Sequence, residues 1–158
     1  MGDGEQVCYR YSDPPGLEQF ETALWDPLLL WFTKRYNVQL SSTLGLNLLD
    51  IPDDTKRTIQ RHLLTYNAWA LVGILHAVEA LKSVVISLAL IDKFVSVEQA
   101  VYFSRLECEF QISKWGNVEE AHDMEKTETQ ARAAAATLFV HMCSETERAQ
   151  HKLQQPPQ

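Results

Sequence analysis

Apolar and polar positions alternate most informatively between Ser96 and Gly116, where the spacing predicts one amphipathic helix. At 100° per residue, Val97, Ala100, Val101, Cys108, Ile112 and Trp115 cluster along one apolar arc. Phe103, Leu106 and Phe110 form a second arc, and Glu107 and Lys114 point into the narrow gap between the two. Glu98, Arg105, Glu109 and Ser113 fall on the broad polar face. Glu109 therefore needs no explanation, whereas a carboxylate set among apolar side chains, such as Glu107, must be paired or lie at a contact. Ser96-Val97-Glu98-Gln99 supplies a capping box at the start, and Gly116 permits the left-handed geometry that ends a helix.

The same reading organises the rest of the chain. Residues 1–22 are mixed and turn-rich, with Cys8-Tyr9-Arg10-Tyr11 a short extended run. A helix is expected to start at Trp25-Asp26-Pro27, with Asp26 as its cap and Pro27 at the first position, and to stop near Asn37. Residues 37–51 read as a connector, and Pro52-Asp53-Asp54 opens the next helix. Tyr66-Asn67 marks a kink or a junction. From Ala68 to about Asp92 the chain is apolar around most of its circumference, as suits a central helix surrounded by others. Gly73, Ala77, Ala80, Ser83 and Ser87 share one azimuth of that segment and would let another backbone approach closely. A last helix follows Gly116-Asn117 through the alanine-rich stretch at 131–136. The fold expected is all-α, a compact helical bundle with a central apolar helix and a short extended N-terminal segment. Its domain limits are 1–22 for an edge segment, 23–150 for the helical domain and 151–158 for a flexible tail.

Composition narrows the function classes. A chain of 158 residues suits one domain, and 46% apolar residues with four tryptophans support a folded core. A formal net charge of -7 disfavours nucleic acid as a partner. Cys8, Cys108 and Cys143 have no paired spacing and read as small core residues in a reducing compartment. The first residues, Met1-Gly2-Asp3-Gly4-Glu5, show neither a secretory signal nor an arginine-rich transit pattern. His76, Glu79 and Lys82 interrupt the greasiest stretch, which argues against membrane insertion.

Candidate chemistry is sparse. Glu119-x-x-His122 has the spacing of dimetal helix bundles, but the second such motif is missing and His76-x-x-Glu79 has the opposite order. His122 and Asp123 are better placed as a cap for the last helix. His141 and Cys143 diverge on a helix, and no nucleophile elbow, phosphate loop or dinucleotide fingerprint occurs. No catalytic residue, metal, cofactor or small-molecule substrate is expected. Trp25, Trp31, Trp69 and Trp115 read as core, with Trp115 packing the helix end beside Gly116.

Ordered landmarks then accumulate along almost the whole chain: Cys8-Tyr9-Arg10, Trp25-Asp26-Pro27, Lys34-Arg35-Tyr36, Ser41-Ser42-Thr43, Tyr66-Asn67-Ala68-Trp69, Leu90-Ile91-Asp92, Ser104-Arg105-Leu106-Glu107, Trp115-Gly116-Asn117 and Ala121-His122-Asp123. In these the sequence resembles the chaperones that help assemble the soluble catalytic head of mitochondrial ATP synthase, called assembly factor 2 in animals. The resemblance implies a mitochondrial matrix protein whose helical C-terminal domain follows a smaller, β-rich one. It also implies binding of the free α subunit until that subunit meets its β partner. This chain looks like the helical part, with Cys8-Tyr9-Arg10-Tyr11 as the last strand of the preceding domain. The family's functionally important acidic position, directly after Arg-Leu, carries over to Glu107, and Phe103, Gln111 and Lys114 share its face as candidate partner-binding residues. A buried ion pair within the bundle is the competing role for Glu107. A noncatalytic structural subunit, and then a helical-bundle enzyme, are the alternative functions.

Overall fold

A computed structural model gives the fold; it describes residues 5–45, 50–118 and 120–153, with side chains as far as 144. A single 3-10 turn at Gln6–Cys8 leads into strand β1 (Tyr9–Arg10), which pairs in parallel with β2 (Thr43–Leu44), Tyr9 opposite Thr43. The remaining described elements are helices: α1 (Leu17–Tyr36), α2 (Asp53–Leu63), α3 (Ala68–Leu81), α4 (Val84–Ile91), α5 (Val97–Ser104), α6 (Leu106–Trp115) and α7 (Ala121–Leu153). The bundle expected from the sequence is therefore present, with α3 lying along α7 as its most extensive helix pair.

Three helix boundaries differ from the sequence reading. Helix α1 starts at Leu17 and carries Pro27 in its interior, so Asp26 caps nothing and the expected limit at residue 22 falls inside a helix. Leu17, Trp25, Leu28 and Phe32 recur on its buried side, and their burial outweighs the hydrogen bond that Pro27 cannot donate. The single apolar helix expected from Ala68 to Asp92 is two helices. Lys82 adopts a left-handed conformation (φ 56°), its N–H bonding back to Val78, and Ser83 then caps α4 by accepting from the Ile86 N–H at 3.0 Å. Likewise the helix from Ser96 to Gly116 breaks at Arg105, which ends α5 and begins α6.

Each break exposes backbone groups to a core that offers no water, and the N-terminal segment supplies most of their partners. The buried Glu5 carboxylate accepts from the Ser83 hydroxyl and from the Val84 N–H at the start of α4 (2.9 Å). Burial pushes its pKa up, and these hydrogen bonds partly offset the rise. At the second break Gln6 donates to the Ser104 carbonyl (3.0 Å) and the Trp25 indole N–H to the Phe103 carbonyl (3.1 Å). Arg10 donates to Asp26 at 2.6 Å and lies over the Trp25 ring, which gives Asp26 its actual role.

Several local readings hold. Asn67 caps α3, the Ser96–Gln99 capping box is formed on both sides, and Gly116 ends α6 at φ 93°. Cys8 is buried, while Cys108 and Cys143 are half-buried. Of the tryptophans, Trp25 is fully buried, Trp31 is half-buried and stacks on Phe94, but Trp69 and Trp115 stand 69% and 71% exposed and are not core. Trp69 lies at the outer edge of the α3–α7 pair, and Trp115 ends α6 beside the exposed connection at 116–118. Helix α7 continues to Leu153, past the expected start of a tail at 151; residues 154–158 and Glu119 lie outside the described residues.

At Gly73 helix α7 packs directly against the α3 backbone. A Cβ added there would sit 2.7 Å from Val140 Cγ2, 3.1 Å from Phe139 Cδ1 and 3.3 Å from the Ala136 carbonyl oxygen. Alanine would gain about 1 kcal/mol of helix propensity, but the Ala136 oxygen cannot retreat without parting the helices. Gly73→Ala is expected to destabilise the fold by about 1–3 kcal/mol, read as a lowered urea midpoint with an unchanged slope.

Candidate partner-binding site

The break at Arg105 decides what surrounds Glu107. Arg105, placed on the polar face by an unbroken-helix projection, is 8% exposed. Its guanidinium donates to the His122 carbonyl at 3.2 Å and meets Glu125 at 3.4 Å and the Cys108 sulfur at 3.6 Å, tying the start of α6 to the start of α7. Leu106 and Phe110 are buried against α1, where Phe110 packs on Phe20. Glu107, one residue beyond Leu106, is half-buried at the edge of this seam.

Glu107 lines a polar cavity of about 350 Å³ with Gln6, Ser104, Arg105, Gln111 and Glu125. Gln111 thus lines the same cavity. Phe103 and Lys114 do not line this cavity: Phe103 packs against the core and Tyr102, and Lys114 holds its ammonium 5.4 Å from the centre of the Phe110 ring. Among the described residues Glu107 makes no ion pair, so the buried-pair alternative has no partner to name. Glu109 is also half-buried, so burial alone does not separate the two carboxylates; the cavity does.

A second carboxylate belongs to this region. Glu21 on α1 is fully buried; one oxygen accepts the Tyr11 N–H at 2.9 Å, while the other has no hydrogen-bond partner among the described residues. Burial first, then the negative charges of Glu107 and Glu18, push its pKa up to about 7 against the Tyr11 hydrogen bond and the Arg10 charge. The charge of Glu107 also helps raise Tyr11, after burial. The sequence reading passes over Glu21 because it starts the helix too late. Once α1 begins at Leu17, Glu21 lies among Leu17, Leu24, Trp25 and Leu28, the same signal of a carboxylate in an apolar stripe that picks out Glu107. Glu5, Arg10 and Arg105 carry no such signal, because their partners are distant in sequence.

The other predicted residues are structural and dispersed. His122 Nδ1 lies 2.9 Å from the Asn117 side-chain oxygen and 3.2 Å from the Val118 N–H, and Asp123 accepts weakly from Asn117 at 3.5 Å. Both reach back from inside the first turn of α7 to hold the α6–α7 connection; neither precedes the helix as its cap. Glu79 pairs with His76 at 3.3 Å on α3, away from Glu107. Among the described residues no three His, Cys, Asp or Glu side chains gather as metal ligands, and no helix is long and apolar enough to cross a membrane.

No protein-family model matches the chain. The sequence is similar to "Protein atp12, mitochondrial" of Schizosaccharomyces pombe, 26% identical over 118 residues that cover 73% of this chain and 40% of that protein. The fold is similar to the crystal structure of Atp12 from Paracoccus denitrificans, with a TM-score of 0.82 and 23% identity over 90% of this chain and 60% of that one. It is also similar to the Atu1473 protein from Agrobacterium tumefaciens, with a TM-score of 0.76 and 24% identity over 88% and 52% of the two chains. The chain thus spans less than two thirds of the length of each of these relatives. The structural likenesses establish a shared fold, and the sequence match adds homology to the Atp12 proteins.

The titration of Glu21 is directly testable. A carboxyl raised from 4.5 to about 7 on folding gives stability that is complete below 4.5 and is lost as pH rises through 7, because the folded protein holds the extra proton. Glu21→Gln removes that dependence while its amide oxygen can still accept the Tyr11 N–H. Between pH 5 and pH 8 the native protein is expected to lose about 1–3 kcal/mol relative to the variant, in denaturant titrations run at both pH values. Parallel curves at the two pH values would refute the assignment.

Proposed function

We propose that this chain is the helical, partner-binding part of an Atp12-type assembly chaperone, which captures the unassembled α subunit of the F1 part of ATP synthase. The observation that carries this reading is the homology to Atp12 proteins over most of the chain, joined to a carboxylate, Glu107, that lines a surface cavity without an ion pair among the described residues. The reading also puts the protein in the mitochondrial matrix, in keeping with the description of the fission yeast relative as mitochondrial.

Capture of this kind needs no chemistry. A free subunit exposes a surface that its neighbour later covers; binding lowers the free concentration of that surface by mass action, and the native neighbour displaces the chaperone by binding more tightly. Glu107 contributes a charge at the rim of the contact, where it selects a complementary basic group and orients the encounter. Purified α subunit mixed with this chain should form a complex detectable by light scattering; no association at tens of micromolar with both proteins folded would remove the reading.

Charge reversal separates an interface role from a structural one. Glu107→Lys is expected to leave the melting temperature nearly unchanged, since no internal pair is lost, and to weaken α-subunit binding by about 2 kcal/mol or more. Glu109→Lys, an equally half-buried control outside the cavity, should change binding little. Equal losses from both variants would mean that general negative charge, and not Glu107, carries the contact.

A further inference from the structure

The outer edge of the α3–α7 pair is apolar where a closed bundle would be polar. Trp69 and Val72 stand 69% and 43% exposed on α3, and Phe139 is 40% exposed on α7. At helical spacing Trp69 and Val72 stack with Gly73 and His76, and Ala135 and Phe139 lie along the facing edge of α7. Between these rows runs a cleft of about 350 Å³ lined by Gly73, His76, Arg132, Ala135, Ala136 and Phe139. Its floor exists because Gly73 has no side chain, so that the Phe139 ring and the Ala136 carbonyl come directly against the α3 backbone.

The charges at its rim are asymmetric. His76 is engaged by Glu79 at 3.3 Å, whereas Arg132, exposed at the other wall, makes no ion pair among the described residues. An unpaired guanidinium beside an apolar cleft fits one kind of occupant, an apolar side chain with a carboxylate about one turn away. Charge complementarity at Arg132 favours a carboxylate at the rim of the cleft. Two helices side by side present grooves that receive the side-chain ridge of a third, so the matching backbone is helical.

We infer that the α3–α7 cleft seats an amphipathic helix of the captured partner, with an apolar side chain over Gly73 and a carboxylate on Arg132. This rests on the proposed α-subunit capture and adds a second, apolar contact to the one at Glu107. The cleft supplies desolvation, and the Glu107 cavity supplies charge selection.

The test uses the full chain with purified α subunit, with complex formation followed by light scattering and folding by thermal melts. Trp69→Ser and Ala135→Glu alter exposed positions, and each is expected to weaken the complex at least tenfold while melting stays within a few degrees of the native protein. Arg132→Glu should weaken it to a similar degree, and Arg132→Lys should restore most of the affinity. Undiminished binding by Trp69→Ser and Ala135→Glu overturns the cleft while leaving α-subunit capture standing. Failure of the unaltered chain to bind removes both. A homodimer of the unaltered chain that Trp69→Ser dissociates would assign the face to a second copy and likewise overturn the inference.

Discussion

The bundle depends on a carboxylate that has no water to face. Glu5, 4% exposed, closes the start of α4 by accepting from Ser83 and Val84, and without it the break between α3 and α4 would leave helix-end N–H groups unpaired in the core. That break lets α4, whose residues 85–91 are all buried, cross beneath α1 and α5 instead of extending α3 into solvent. Gln6 and Trp25 perform the matching task at the break between α5 and α6. The short N-terminal segment therefore acts as a set of polar pins for helices far away in sequence. An unpaired buried donor or acceptor costs about 1–3 kcal/mol, so each pin matters on the scale of a whole domain's stability.

These pins also set the candidate sites. Because α6 restarts at Arg105, its direction is independent of α5, and Arg105 turns inward to bind the start of α7. Leu106 and Phe110 then seal against α1, which leaves Glu107 at the seam's edge over a polar cavity. The proximity of Glu21 follows from the same packing, and its pKa is raised first by its burial and then by the charge of Glu107 across the seam.

Much of this was legible in the sequence wherever the cause is local. The Ser96 capping box, the Asn67 junction, the Gly116 stop and the close approach at Gly73 all depend on neighbours within a turn or two, or on a missing side chain. The breaks at Lys82 and Arg105 were not legible. Lys82 has no side-chain preference for φ 56°, and the partners that satisfy both interruptions, Glu5 and Gln6, lie roughly eighty and a hundred residues upstream. Pro27 misled because its usual place is a helix start, whereas here the buried stripe from Leu17 to Phe32 carries the helix through it. Trp69 misled for the opposite reason: a large aromatic at helical spacing is normally core, but here it stands exposed at the outer edge of the α3–α7 pair. The projection that singled out Glu107 assumed a continuous helix, which the break at Arg105 removes, so its candidacy rests on the resemblance and on the cavity that it lines.

Under the proposed capture, this chain has to bind without trapping its partner. The apolar cleft holds about one side chain, whose burial contributes on the order of 1.5–3 kcal/mol, and a rim charge at Glu107 or Arg132 contributes at most a few more. Neither contact approaches what an extended native subunit interface supplies. Dividing the contact between two sites makes capture depend on both being engaged together, so that a native neighbour need displace only one to weaken the other. On this reading, the modest size of each site is what permits release by competition alone, with no energy source in the chain.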